Sequence, residues 1–214
     1  MSRQRDNDIV RYRAPTRINH WIVALSFVLA ALSGLALFHP ALFPLAGLFG
    51  GGPWTRILHP FIGVVMVIAF ALLAARMGRD NRLDANDRAW LGKVGDVIRN
   101  REENLPEVGR FNAGQKLLFW VLVTCLLVLL LSGVVIWRAW FSHYFPIGVI
   151  RLSSLAHALF GLVLVCSIVV HIYAAIWVKG SFRAMSEGKV SHGWAWKHHR
   201  GWFRDVIGGR RRPD

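Results

Sequence analysis

Between residues 152 and 178 the chain reads LSSLAHALFGLVLVCSIVVHIYAAIWV, 27 residues without an Asp, Glu, Lys or Arg. At about 1.5 Å per residue a helix of this length is roughly 40 Å long, enough to cross a bilayer with some tilt. Three further uncharged runs, 21–38, 57–75 and 117–137, are long enough to span as well. With 54% hydrophobic residues, the 214-residue chain is too apolar for a water-soluble domain of its size. The expected fold class is an all-α membrane protein: a single domain over 1–214 built as a bundle of four transmembrane helices. Pro15-Thr16 reads as a break before the first of them. Part of 80–104 reads as a short surface helix. The tail after 178, rich in Trp, His and basic residues, reads as amphipathic and lying along the membrane surface.

A net charge of +14 raises the question of nucleic acid, and its distribution argues against it. Five Arg precede the first run, nine Lys or Arg lie between 76 and 116, and nine follow 178. Only Arg56, Arg138 and Arg151 flank the other ends. That asymmetry predicts cytoplasmic termini and a cytoplasmic 77–116 loop, with the 39–56 and 138–151 loops facing outward. The basic excess then serves topology and lipid contact. The first run starts 20 residues in and has no Ala-x-Ala-like end, so it reads as a retained helix. Cys125 and Cys166 both fall inside apolar runs and read as packing residues. There is no Cys-x-x-Cys-His for covalent haem attachment.

Four of the nine histidines lie at membrane depth: His20, His59, His157 and His171. His157 and His171 are fourteen residues apart, which on a helix puts them ~21 Å apart along the axis and only ~40° apart around it. A titratable ring at such depth is costly and marks a functional candidate. The plainer reading of any single one is a hydrogen bond to a neighbouring helix. By the predicted topology, His59 and His157 lie near the outer surface, and His20 and His171 near the inner one. Two pairs at two depths suit two six-coordinate haems, each iron taking one imidazole from each of two helices. Zinc sites usually take three or four protein ligands, and the runs contain no carboxylate to complete one. Bis-histidine ligation closes both axial positions and favours electron transfer. Four residues after each histidine stands a small residue, Ala24, Gly63, Gly161 or Ala175, which leaves room for a flat macrocycle or for simple helix packing. Arg17, Arg56 and Arg151 are placed to meet haem propionates.

The stretches RILHPFIG (56–63), FNAGQK (111–116), SGVVIWR (132–138), HIYAAIWVKGS (171–181) and EGKVS (187–191), with KHH at 197–199, carry a resemblance over nearly the whole length. The chain resembles the cytochrome b, or gamma, subunit of respiratory formate dehydrogenases. More distant likenesses are the cytochrome b subunits of nickel–iron hydrogenases and thiosulfate reductases. The resemblance implies two b haems, the outer on His59 and His157 and the inner on His20 and His171. It implies a quinone, menaquinone or ubiquinone, reduced beside the inner haem at Asn112, Gly114 and Gln115. It further implies an iron–sulfur beta subunit, and an alpha subunit that oxidises formate at molybdenum or tungsten; association of such heterotrimers stays open. By itself Asn112 followed by Gln115 also reads as a helix-capping pair, and Gly114 as space beside the backbone. Alternatives from other classes are a hydrogenase subunit, a self-contained transmembrane reductase and a histidine-based transporter.

Overall fold

The computed structural model describes residues 8–99, 101 and 105–209. The first seven residues of the polar tail, positions 100 and 102–104 of the expected surface helix, and the basic end 210–214 lie outside the described residues. Helices α1 (Ala14–Phe38) and α2 (Gly52–Met77) come first, joined through a 3-10 helix at Pro40–Phe49. The short helices α3 (Ala85–Leu91) and α4 (Val94–Ile98) follow, then α5 (Ala113–Ile136) and α6 (Ile147–Trp177). The chain ends in α7 (Ser181–Ser186), α8 (His192–His198) and α9 (Arg200–Ile207). Helices α1, α2, α5 and α6 are each long and apolar enough to cross a membrane, as their sequences predict.

Two helix starts differ from expectation for one reason. Pro15 does not break the chain before α1 but sits in its first turn, and α2 begins at Gly52 with Pro53 next. The first N–H groups of a helix have no internal partner, so a proline there forfeits nothing. Pro60, by contrast, lies inside α2 directly after His59.

The described chain divides into two compact units. One comprises 18–74 and 121–170. Its core is Ala30, Met66, Phe70, Cys125, Leu126 and Leu164. Leu25, Val65, Leu131 and Leu155 point outward and are more than half exposed, a surface suited to lipid rather than water. Cys125 packs in the core as expected, whereas Cys166 is exposed on α6.

Among the described residues the other unit comprises 8–17, 75–99, 101, 105–120 and 171–209. Here the tail does not lie as a lone interfacial helix. It turns back at Gly188, whose φ of 83° suits only glycine well, and its carbonyl accepts the N–H groups of Arg11 and Tyr12. Strand β1 (Asp8–Val10) then pairs antiparallel with β2 (Lys189–Ser191), Ile9 opposite Val190. Ile9, Tyr12, Phe111, Ala184, Val190, Ala195 and Trp202 form the core. The expected surface helix is two short ones, and Asp84 opens α3 with a reciprocal capping box to Asp87. Both carboxylates also accept from Lys116, at 3.0 and 2.9 Å, and the Lys116 hydrogen bond holds the Asp84 carboxyl below its usual range.

Within this unit Arg11 is buried, its guanidinium 4.6 Å from the Trp202 ring centre and 5.2 Å from that of Trp194. It donates to the Arg110 carbonyl and faces His199 Nε2 at 3.3 Å. Arg110 donates back to the Arg11 carbonyl at 3.1 Å and pairs with Asp80 at 3.1 Å. His199, in the tail expected to lie along the membrane surface, is only 2% exposed. Its Nδ1 meets the Gly109 carbonyl at 3.0 Å. A carbonyl only accepts and a guanidinium only donates, so Nδ1 carries the proton and Nε2 the lone pair. His192 and His198 are half-buried.

Burial, reinforced by the Arg11 charge, holds the His199 pKa well below its ordinary value. As pH falls below about 6.5, the unfolded chain takes up this proton while the folded chain does not, so stability is lost on acidification by up to about 1.4 kcal/mol per pH unit. Thermal unfolding followed by the near-ultraviolet signal of the tryptophans is therefore expected to show a midpoint falling between pH 7 and pH 5. The dependence is expected to be shallower in His199→Gln; identical slopes would refute this assignment.

Candidate functional site

Helices α2 and α6 carry His59 and His157 to one place. Their ring centres are 6.2 Å apart and their planes cross at 76°. With about 2 Å from each imidazole nitrogen to a metal, and roughly 1 Å from nitrogen to ring centre, two axial imidazoles on one ion have centres about 6 Å apart. The pair stands at that separation. Among the described residues no group of three or more His, Cys, Asp or Glu gathers that could hold a metal ion. The two rings thus face each other as a pair and are not part of a larger cluster of such groups among the described residues.

Each imidazole is held from behind in the same way. His59 Nδ1 lies 2.9 Å from the Ser33 hydroxyl of α1, and His157 Nδ1 lies 3.0 Å from the Ser132 hydroxyl of α5. Ser33 donates to the Leu29 carbonyl at 2.7 Å and Ser132 to the Val128 carbonyl at 2.6 Å. A hydroxyl whose one proton is so engaged accepts from the ring. Nδ1–H is then the donor, and Nε2 keeps the lone pair that a metal needs. The residue after each serine is glycine. A Cβ on Gly34 would come within 3.1 Å of His59 Cε1, and one on Gly133 within 3.3 Å of His157 Cε1. Any larger residue there pushes the ring.

Gly63 and Gly161, one turn on from the two histidines, are different. A Cβ on Gly63 would meet nothing within 4 Å, and one on Gly161 only Leu129 at 4.0 Å. The small residues four positions on therefore leave open room beside the histidines rather than closing a helix contact. Spacing, tautomer and room all fit a planar macrocycle with two imidazoles on its iron. Ser33, Gly34, Ser132 and Gly133 are absent from the candidates read from sequence. The signal was present: Leu-Ser-Gly occurs at 32–34 and again at 131–133, each time a polar residue inside an apolar run.

His20 lies in α1, half-buried, with Trp21 edge-on at 5.4 Å. His171 lies in α6, half-buried, and belongs to the other unit. Arg17 is taken up by the Glu187 carbonyl at 2.8 Å, while Arg56 and Arg151 are exposed, in α2 and α6.

At the start of α5, Asn112 and Gln115 cap the helix reciprocally. Asn112 N–H donates to Gln115 Oε1 at 3.0 Å, and Gln115 N–H donates to Asn112 Oδ1 at 2.9 Å. Capping uses both side-chain oxygens and leaves both amide NH2 groups as donors. The expected space beside Gly114 is filled: a Cβ there would lie 3.3 Å from the Trp90 ring of α3. Gly114 is thus a seat for an indole. A cleft of about 270 Å³, lined by Asp84, Asp87, Trp90, Phe111, Ala113 and Lys116 among others, opens on the Ala113 and Lys116 side of the helix. Asn112 and Gln115 do not line it.

If the room beside the histidines holds a haem, filling it should expel the haem without harming the helices. Gly63→Leu and Gly161→Leu each replace glycine by a better helix former. Both are expected to insert with wild-type helicity and with haem content below wild type by pyridine haemochrome assay. Wild-type haem content in both would show the room to be something else.

One family model and three relatives match this chain. The family model described as prokaryotic cytochrome b561 matches residues 11–188. The nitrate-inducible formate dehydrogenase cytochrome b556(Fdn) subunit of Escherichia coli K12 is 43% identical over 198 residues, covering 92% of this chain and 91% of that one. The formate dehydrogenase cytochrome b556(fdo) subunit of the same organism is 44% identical over 203 residues, covering 95% of each. The formate dehydrogenase cytochrome b556 subunit of Haemophilus influenzae is 40% identical over 202 residues, covering 94% of this chain and 85% of that one. With its facing histidines and four apolar helices, the chain belongs to the prokaryotic cytochrome b561 family, among the cytochrome b556 subunits of formate dehydrogenases.

Proposed function

We propose that this chain is the di-haem membrane anchor of a formate dehydrogenase and carries electrons from an iron–sulfur partner on the outer side to quinone on the inner side. The observation that carries the reading is the His59–His157 pair, set at the separation of two axial ligands with each ring held by Nδ1. A b haem closed by two imidazoles supplies one-electron transfer. His59 and His157 hold the haem nearer the outer surface, and His20 and His171 the one nearer the inner surface. The 23-to-3 distribution of basic residues supports that orientation, with the termini and the 77–116 loop in the cytoplasm.

The formate chemistry belongs to a partner subunit: its oxidation to carbon dioxide releases two electrons and a proton. Reduction of the quinone takes two electrons and two protons, drawn from the inner side. Uptake on one face and release on the other separate charge with no large part moving. Asn112 and Gln115 orient the quinone, because a quinone carbonyl accepts and their free NH2 groups donate. Gly114 contributes through Trp90, which it seats beside them. The apolar exposed faces of the four helices meet lipid and partner subunits.

Two variants of the intact complex test this reading. His157→Ala is expected to lose one haem and leave the other reducible by quinol; retention of both haems would overturn the pairing. Gln115→Glu keeps a side-chain oxygen for the cap and removes the NH2 donor. It is expected to keep both haems and to lower quinone turnover roughly fivefold, the weight of a hydrogen bond of about 1 kcal/mol. Unchanged turnover would reduce Gln115 to a cap.

A further inference from the structure

Serines inside apolar helices commonly bond only the carbonyl one turn back, and three here do so: Ser26 to Ile22, Ser154 to Ile150 and Ser167 to Val163. Ser33 and Ser132 make that same bond and one more, to a histidine. The backbone bond alone satisfies a serine hydroxyl, so the second contact needs its own reason. The two sites also copy each other. Ser33 precedes His59 by 26 positions and Ser132 precedes His157 by 25. The glycine after each serine lies against the same ring atom, Cε1. The Ser33-Gly34 and His59 set of α1 and α2 thus recurs as the Ser132-Gly133 and His157 set of α5 and α6.

We propose that Ser33 and Ser132 are paired positioning residues that orient the two imidazoles and lower the reduction potential of the haem they hold. The inference rests on the haem reading of the His59–His157 pair. Each serine oxygen accepts Nδ1–H while its own proton is drawn to a backbone carbonyl, which sharpens it as an acceptor. An imidazole whose distal N–H is so engaged is the more basic ligand, and a more basic ligand favours the oxidised, more electron-demanding iron. Gly34 and Gly133 let each ring approach its serine. Two serines acting on one iron from opposite sides make the effect additive in sign. The ring planes cross at 76°, each ring tied to a serine of a different helix.

The test is a redox titration, followed optically, of the purified complex carrying Ser33→Ala, Ser132→Ala or both. Alanine removes one oxygen and keeps the helix, and all three variants are expected to retain their haems. Each single variant is expected to raise the midpoint potential of one haem and leave the other unmoved. A tenfold change in the relative stability of the two oxidation states, the lower end of what second-sphere changes produce, corresponds to about 59 mV for one electron. The double variant is expected to shift further in the same direction. Unmoved potentials in all three, with haem present and lost as expected in His157→Ala, would overturn the serine role alone. Full haem content in His157→Ala would overturn the haem reading and the serine role with it.

Discussion

An imidazole inside an apolar bundle needs an acceptor for its N–H, because an unmatched polar group in such a medium costs several kcal/mol. That constraint organises the membrane part of this protein. For His59 and His157 one nitrogen is met by a serine, and the other is left with its lone pair at the spacing of a shared metal. The glycines follow from it. Gly34 and Gly133 allow contact with the rings, and Gly63 and Gly161 keep room next to them. In helices rich in Leu, Val, Ala and Ile, these are among the positions where composition departs from what a membrane alone requires.

The same rule, applied to charge, shapes the other unit. Arg11, Arg110 and Lys116 are nearly buried cations, and a buried cation is costly unless its hydrogen bonds are met. Lys116 is met by Asp84 and Asp87, Arg110 by Asp80 and the Arg11 carbonyl, and Arg11 by the Arg110 carbonyl, His199 and tryptophan faces. These bonds tie the first residues of the chain, the 77–116 stretch and the tail to one another. The α5 start inherits its order from them: Lys116 secures α3, whose Trp90 then rests on Gly114. A quinone site at Asn112 and Gln115 would thus stand on a firm helix end, its two donors left unused by the cap.

Much of this was readable in the chain itself. The four spans and their helical state follow from run length and composition. The capping pair at Asn112 and Gln115 was legible because both partners lie within one turn. The misreadings share a different character. Pro15 looks like a break until the helix is known to begin at Ala14. Gly114 looks like empty space until Trp90, from another helix, is seen on it. His199 looks solvated in a basic tail, yet its partners are Gly109 and Arg11, 90 and 188 positions away. The pairing of β1 with β2 likewise joins the two ends of the chain, and neither three-residue strand has a pattern long enough to announce itself.

Taken alone, the sequence determined how many helices cross the membrane, which way the basic residues bias them, and that two histidines share one face of α6. Each is a property of a single segment, set by transfer of that segment into lipid and by the helical repeat. Only the tertiary structure decided that Ser33 and Ser132 stand behind His59 and His157, and that two glycines crowd the rings while two others leave room. Those relations depend on the rotation and depth of separate helices against one another. Packing of the whole core sets them, and no stretch of sequence contains that information locally.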